Sequence, residues 1–200
     1  MRGRTVALAS VAISVCAVAF ILALIASFDR QGGGVGVRQA AACVNAETEH
    51  DCLPDIAMED TSGQVWDHAG MTGQVVIVNF WATWCRPCLV EIPDLAQIHD
   101  LYAEHDLVLL GIMTDQPADD DLAEFSERTG LNYPVVRADA EILRAFDLPD
   151  VLPTTLVYDR GGELALRHRG VVTTAQLSEL VDELLGHQPP AGGQTRPDEP

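Results

Sequence analysis

Apolar positions in this chain fall into two kinds of run. Residues 75–81, Val-Val-Ile-Val-Asn-Phe-Trp, and residues 107–113 are continuous and of strand length, the pattern of strands buried on both faces of a sheet. Leu89, Ile92, Leu95, Ile98 and Tyr102 recur instead at helical spacing. They predict a helix that opens at Arg86-Pro87 and runs to about residue 104, with Pro93 inside it to kink it near Leu89. Further helices are expected over 119–129, stopped by Gly130, over 140–146 and over 174–185, with a strand over 134–137. Two hairpins are predicted. One pairs 55–58 with 64–66 around Thr61-Ser62-Gly63, and the other pairs 155–158 with 163–168 around Asp159-Arg160-Gly161-Gly162. Strands alternating with helices imply an α/β sandwich with enough chain for one proper core.

The ends of the chain read differently. Residues 6–28 are 23 positions without a charge, preceded by Arg2 and Arg4. As a helix they would span about 30 Å or more, enough to cross a bilayer. A cleaved signal peptide has a shorter apolar region, and Ala40-Ala41-Ala42 lies too far beyond the apolar end to serve as its cleavage site. Residues 1–28 are therefore expected to be a retained single-pass membrane anchor, with Cys16 a small apolar residue within it. The two arginines keep the N-terminus cytoplasmic and the rest of the chain outside. Residues 29–52, with Gly32, Gly33, Gly34 and Gly36, make a flexible tether and a cysteine-containing arm. Residues 53–187 form the domain, and the Pro- and Gly-rich 188–200 a disordered tail. The net charge of −18 combines +3 over residues 1–38 with −21 over residues 39–200, which makes nucleic acid a poor partner.

Chemistry concentrates at Trp84-Cys85-Arg86-Pro87-Cys88, directly after the first buried strand. Two residues between the cysteines place them one turn apart at a helix start, close enough to form a disulfide and open it by exchange. Cys85 would sit where unpaired N–H groups and the helix dipole favour a thiolate, so its pKa should fall, with Arg86 pushing the same way. Cys88, one turn deeper, is the expected resolving thiol. A structural disulfide and half of a zinc site are the competing readings, but Leu89-Val90-Glu91-Ile92-Pro93 supplies no second ligand pair. Leu89 also stands where haem attachment needs His.

The run Val-Asn-Phe-Trp-Ala-Thr-Trp-Cys-Arg-Pro-Cys at 78–88, then Glu91-Ile92-Pro93 and Leu152-Pro153-Thr154-Thr155, resembles the TlpA/ResA-like branch of the thioredoxin superfamily. The likeness covers about residues 53–185. It implies a thioredoxin-like fold: a central mixed sheet flanked by helices, an N-terminal β-hairpin and a central inserted segment. It further implies a membrane-anchored, extracytoplasmic thiol–disulfide oxidoreductase that reduces disulfides in exported proteins, apocytochrome c before haem attachment foremost. Electrons would come from an upstream membrane thiol donor, and no bound cofactor or metal is needed.

The resemblance also assigns roles. Cytosolic thioredoxins carry a buried Asp where this chain has Asn79, and the acid of this branch stands at Glu91, three residues after Cys88 on the same helix face. Glu91 would take the proton of Cys88; as a plain early-helix Glu it would be solvated. Pro153 is expected to be cis, placing Leu152 and Pro153 against Cys85. The Leu152 backbone would pair with substrate, with Thr154, Trp84 and Trp81 completing the substrate surface unless either tryptophan is simply core.

Cys43 and Cys52 fall outside this match. A structural disulfide between them, stabilising by roughly 2–3 kcal/mol through loop closure, stands beside a second redox pair, a metal site with His50, and free thiols. Two other functions stay open: an oxidant of the DsbA kind, and a metal chaperone using Cys85, Cys88 and His99 or His168. A peroxidase lacks its Pro and Thr pattern, of which Thr83 alone is present.

Overall fold

The computed structural model describes residues 51–147 and 149–186. The expected anchor, tether, Cys43, His50 and C-terminal tail lie outside the described residues. Among the described residues no helix is long and apolar enough to cross a membrane.

The continuous apolar run becomes the central strand β3, Val75–Trp81, with all seven residues buried. Around it the chain forms β1 (Met58–Glu59), β2 (Val65–Trp66), α1 (His68–Met71), α2 (Arg86–Leu101), β4 (Leu107–Met113), α3 (Asp119–Thr129), β5 (Val135–Arg137), α4 (Ala140–Ala145), β6 (Thr154–Tyr158), β7 (Leu164–Arg169) and α5 (Thr174–Leu185). The main sheet is mixed, in the order β5-β4-β3-β6-β7. β3 runs parallel to β4 in the register Asn79↔Gly111 and antiparallel to β6 in the register Asn79↔Thr155.

Alternation along β3 builds two cores, because successive side chains point to opposite faces. Val76, Val78 and Phe80 pack with Leu110, Ile112, Leu156 and Phe146. Val75 and Ile77 pack on the other face with Leu95 and Ile98 of α2 and Leu177 and Val181 of α5. Asn79 and Trp81 share that second face.

The N-terminal hairpin is shorter than predicted, two residues a side. Its turn is organised by Asp60, whose carboxylate accepts from the Ser62 N–H at 2.8 Å, the Ser62 hydroxyl at 2.6 Å, the Gln64 N–H at 3.1 Å and the Trp66 indole at 2.8 Å. Burial works to raise the pKa of Asp60, and these bonds outweigh it and hold the group below the usual carboxylate range. Thr61 N–H then donates to the Val135 carbonyl at 2.8 Å, tying the hairpin to β5.

Helix α1 was not expected; it is held by the Asp67 side chain accepting from Gly70 N–H at 2.7 Å. Helix α2 ends at Leu101 with Tyr102 as its cap, short of residue 104. Leu89, expected in its apolar stripe, is 37% exposed, whereas Ile92, Leu95 and Ile98 are fully buried.

Candidate active site

Strand β3 delivers the chain to the site, and a polar clamp turns it. Asp115, just after β4, accepts from the Thr83 N–H with both oxygens at 3.2 Å and also from the Thr83 hydroxyl. Two residues on, Cys85 is the N-cap of α2, with Pro87 in the first turn. Cys85 and Cys88 form a disulfide, their Cα atoms 5.3 Å apart. The Cys88 N–H donates to Cys85 Sγ at 3.3 Å, the contact that favours a thiolate when the pair is reduced. Cys85 is 4% exposed and Cys88 fully buried, so only Cys85 can be reached from outside.

The Leu152–Pro153 bond is cis, as the resemblance implies. Leu152 packs against the cluster that contains both cysteines. Thr154 is 1% exposed and its hydroxyl donates to the Val151 carbonyl at 2.7 Å, so it shapes this loop from within and presents no side chain to a substrate. Trp84 is 70% exposed beside the pair. Trp81, by contrast, is wholly buried and stacked on Phe125 at 5.3 Å between ring centroids, which makes it core.

Glu91 is fully buried behind the disulfide. Its Oε1 accepts from Asn79 Nδ2 at 2.7 Å and its Oε2 from the Val172 N–H at 3.1 Å. Burial raises its pKa, the two hydrogen bonds oppose that rise, and the charge of Asp94 adds to it; the carboxyl is pushed up to about 7. At neutral pH it can therefore both accept and release a proton. This is the environment expected of a group that exchanges protons with a buried thiol.

Three participants were not legible in the sequence: Asp115, the Val172 N–H and Tyr133, whose hydroxyl pKa is raised by burial and by the nearby charge of Glu91. Each reaches the site from a distant segment, so no local spacing signals it.

Cys52 lies elsewhere. It is a disulfide cysteine, and it bridges Glu163 where β7 begins. Strand β6 ends there, at Tyr158 opposite Val76, near the start of β3, whereas Cys85 follows the end of β3. A strand of this length separates the two by roughly 20 Å, so direct exchange within one molecule is out of reach. That counts against Cys43 and Cys52 as a second redox pair passing electrons to the first. Among the described residues no three His, Cys, Asp or Glu side chains are grouped to hold a metal ion.

Comparison with known proteins agrees with this geometry. Residues 50–167, over half of the chain, match the AhpC/TSA family. The thiol–disulfide oxidoreductase ResA of Geobacillus kaustophilus is 29% identical over 133 residues, covering 66% of this chain and 75% of that protein. ResA of Bacillus subtilis is 27% identical over 136 residues, with 68% and 75% covered. Among solved structures, a thiol:disulfide interchange protein of the thioredoxin family from Chlorobium tepidum superposes with a TM-score of 0.62 at 29% identity, over 70% of this chain and all 100% of that one. A secreted thiol–disulfide isomerase from Corynebacterium glutamicum gives 0.60 at 28% identity, over 67% and 85%. The chain belongs to the AhpC/TSA family and is a thiol–disulfide oxidoreductase of thioredoxin-like fold.

Proposed function

We propose that Cys85 and Cys88 are the working couple and that the protein reduces disulfides in exported proteins, apocytochrome c before haem attachment foremost. The observation that carries this reading is Glu91, a buried carboxyl one turn beyond Cys88 with a pKa near neutrality. In the reduced protein the Cys85 thiolate attacks one sulfur of a substrate disulfide, and the other sulfur leaves as a thiolate. Glu91 takes the proton of Cys88. The Cys88 thiolate attacks Cys85 in the mixed disulfide, the second substrate sulfur leaves, and two electrons have passed to the substrate. A membrane dithiol donor returns the pair to the reduced form.

Trp84, with 70% of its surface exposed, and the Leu152 backbone offer an apolar contact and strand-like pairing to the substrate segment. Residues 1–28 would anchor the chain with this domain outside the cytoplasm, a reading supported by the uncharged stretch 6–28. Cys52, at the far end of the sheet from Cys85, fits a structural bond with Cys43.

The test is the reduction potential of the couple in the full-length chain, by equilibration with dithiol buffers. A value near or below that of thioredoxin, about −270 mV, is expected of a reductant. A value near −120 mV, as in DsbA, would make the protein an oxidant and end the apocytochrome reading.

A further inference from the structure

Asn79 donates both hydrogens of its amide, to Glu91 Oε1 at 2.7 Å and to Thr155 Oγ1 at 3.0 Å. The ionised form of Glu91 fixes that orientation, since turning the amide over would set oxygen against oxygen. Its own Oδ1 then has no hydrogen-bond partner among the described residues, although Asn79 is completely buried. Leaving a buried acceptor unpaired is costly, so a donor is called for.

Two buried donors on the same side of the sheet also lack partners among the described residues: the indole Nε1 of Trp81 and the hydroxyl of Tyr133. Trp81 is two positions along β3 from Asn79, hence on the same face. Gly111 is the β4 residue opposite Asn79. A Cβ on Gly111 would lie 2.8 Å from Trp81 Nε1 and 2.8 Å from Tyr133 Cε2, so the glycine is what lets both rings close onto the strand beside Asn79. One acceptor, one donor and one hydroxyl that does both are the partners a single buried water takes.

We infer that Tyr133 and Trp81 are positioning residues for the reaction: they hold a water that donates to Asn79 Oδ1, and through Asn79 they set the proton affinity of Glu91. Hydrogen bonds in a chain polarise one another. A donor on Asn79 Oδ1 strengthens the Nδ2–H bond to Glu91 and favours its carboxylate. The titratable groups that bear on Glu91 are Asp94 from its own helix and Tyr133 from the segment before β5, and its hydrogen-bond donors are Asn79 Nδ2 and the Val172 N–H. Tyr133→Phe removes a single heavy atom and leaves the couple, Glu91 and the two hydrogen-bond donors of Glu91 in place. The inference rests on Glu91 being the proton acceptor for Cys88.

The test compares the full-length wild type, Tyr133→Phe and Glu91→Gln in reduction of a synthetic peptide disulfide from pH 5 to 9, with the infrared carboxylic-acid band of Glu91 titrated in parallel. Tyr133→Phe is expected to move the Glu91 midpoint upward by about half a pH unit or more, with the pH–rate profile following and KM unchanged. Should that variant fail to fold, 3-fluorotyrosine at position 133, a stronger donor of nearly the same shape, is expected to move the midpoint down. If Tyr133→Phe folds and keeps the wild-type midpoint and profile while Glu91→Gln changes the profile, the positioning role is overturned and the role of Glu91 stands. If Glu91→Gln also leaves the profile unchanged, the proton role of Glu91 falls and takes this inference with it.

Discussion

Asn79 of β3 donates a 2.7 Å hydrogen bond to the Glu91 carboxylate of α2, and neither side chain touches solvent. The pair joins the central strand to the helix that carries Cys85 and Cys88. An amide holds an acid without neutralising it. Desolvation therefore dominates, and the acid stays poised near neutrality.

Stability should register that poise. The Glu91 pKa rises on folding from its ordinary value of 4.5 to about 7, so between these values the folded chain binds a proton that the unfolded chain has released. Folding is then favoured below about pH 4.5, and this contribution is lost as pH rises through 7, by about 3 kcal/mol in all. Urea denaturation of wild type and Glu91→Gln at pH 5 and pH 8 is expected to show a steeper loss in the wild type. Equal losses would mean that Glu91 titrates normally.

The couple should separate by substitution. Cys85→Ser is expected to abolish disulfide reduction, and Cys88→Ser to accumulate mixed disulfides through Cys85, seen as adducts that a reducing agent releases on a gel. Burial argues for this order, since Cys88 has no exposed surface. Full activity in Cys85→Ser with nothing trapped by Cys88→Ser would refute it.

Asp60 accepts four hydrogen bonds within its hairpin. Asp60→Ala leaves the Trp66 indole and two backbone donors without that acceptor, and should destabilise the domain by about 1–3 kcal/mol. Because the hairpin reaches the sheet through β5 and shares a cleft with α2 at His99, near the end of that helix away from Cys85 and Cys88, the reduction potential is expected to stay unchanged. A shifted potential would show that the hairpin supports the site as well as the fold.

What the sequence disclosed, and what it hid, divides by range. The apolar runs 75–81 and 107–113 announced β3 and β4 because burial on both faces needs only a local pattern. Gly130 marked a helix end for the same reason, and it adopts φ 74° there. Cys85, Cys88 and Glu91 could be read together because one turn of helix sets their spacing. The four-residue α1 was invisible, being too short to carry a period. Asp115 acts on a residue 32 positions away and Val172 on one 81 positions away. Such partners are chosen by the sheet register. Leu89 kept helical spacing yet faces out, since spacing names a face and the packed neighbour decides where that face ends.

Gly111 offers the sharpest check on the packing beneath the site. Its backbone is not left-handed, so alanine there meets no conformational penalty and would ordinarily help a strand. The obstacle is contact: the new Cβ would stand 2.8 Å from both Trp81 Nε1 and Tyr133 Cε2. Both rings are buried, Trp81 is stacked on Phe125, and neither is the free end of a flexible chain. Overpacking of this kind costs about 1–3 kcal/mol, more than alanine's gain over glycine. Gly111→Ala should therefore lower the urea midpoint. Moving the rings would also disturb the water they are inferred to hold for Asn79, so the Glu91 midpoint should shift as well. A variant as stable as the wild type would show that Trp81 and Tyr133 can step aside, and the tight closure on β4 would cease to explain why a glycine sits opposite Asn79.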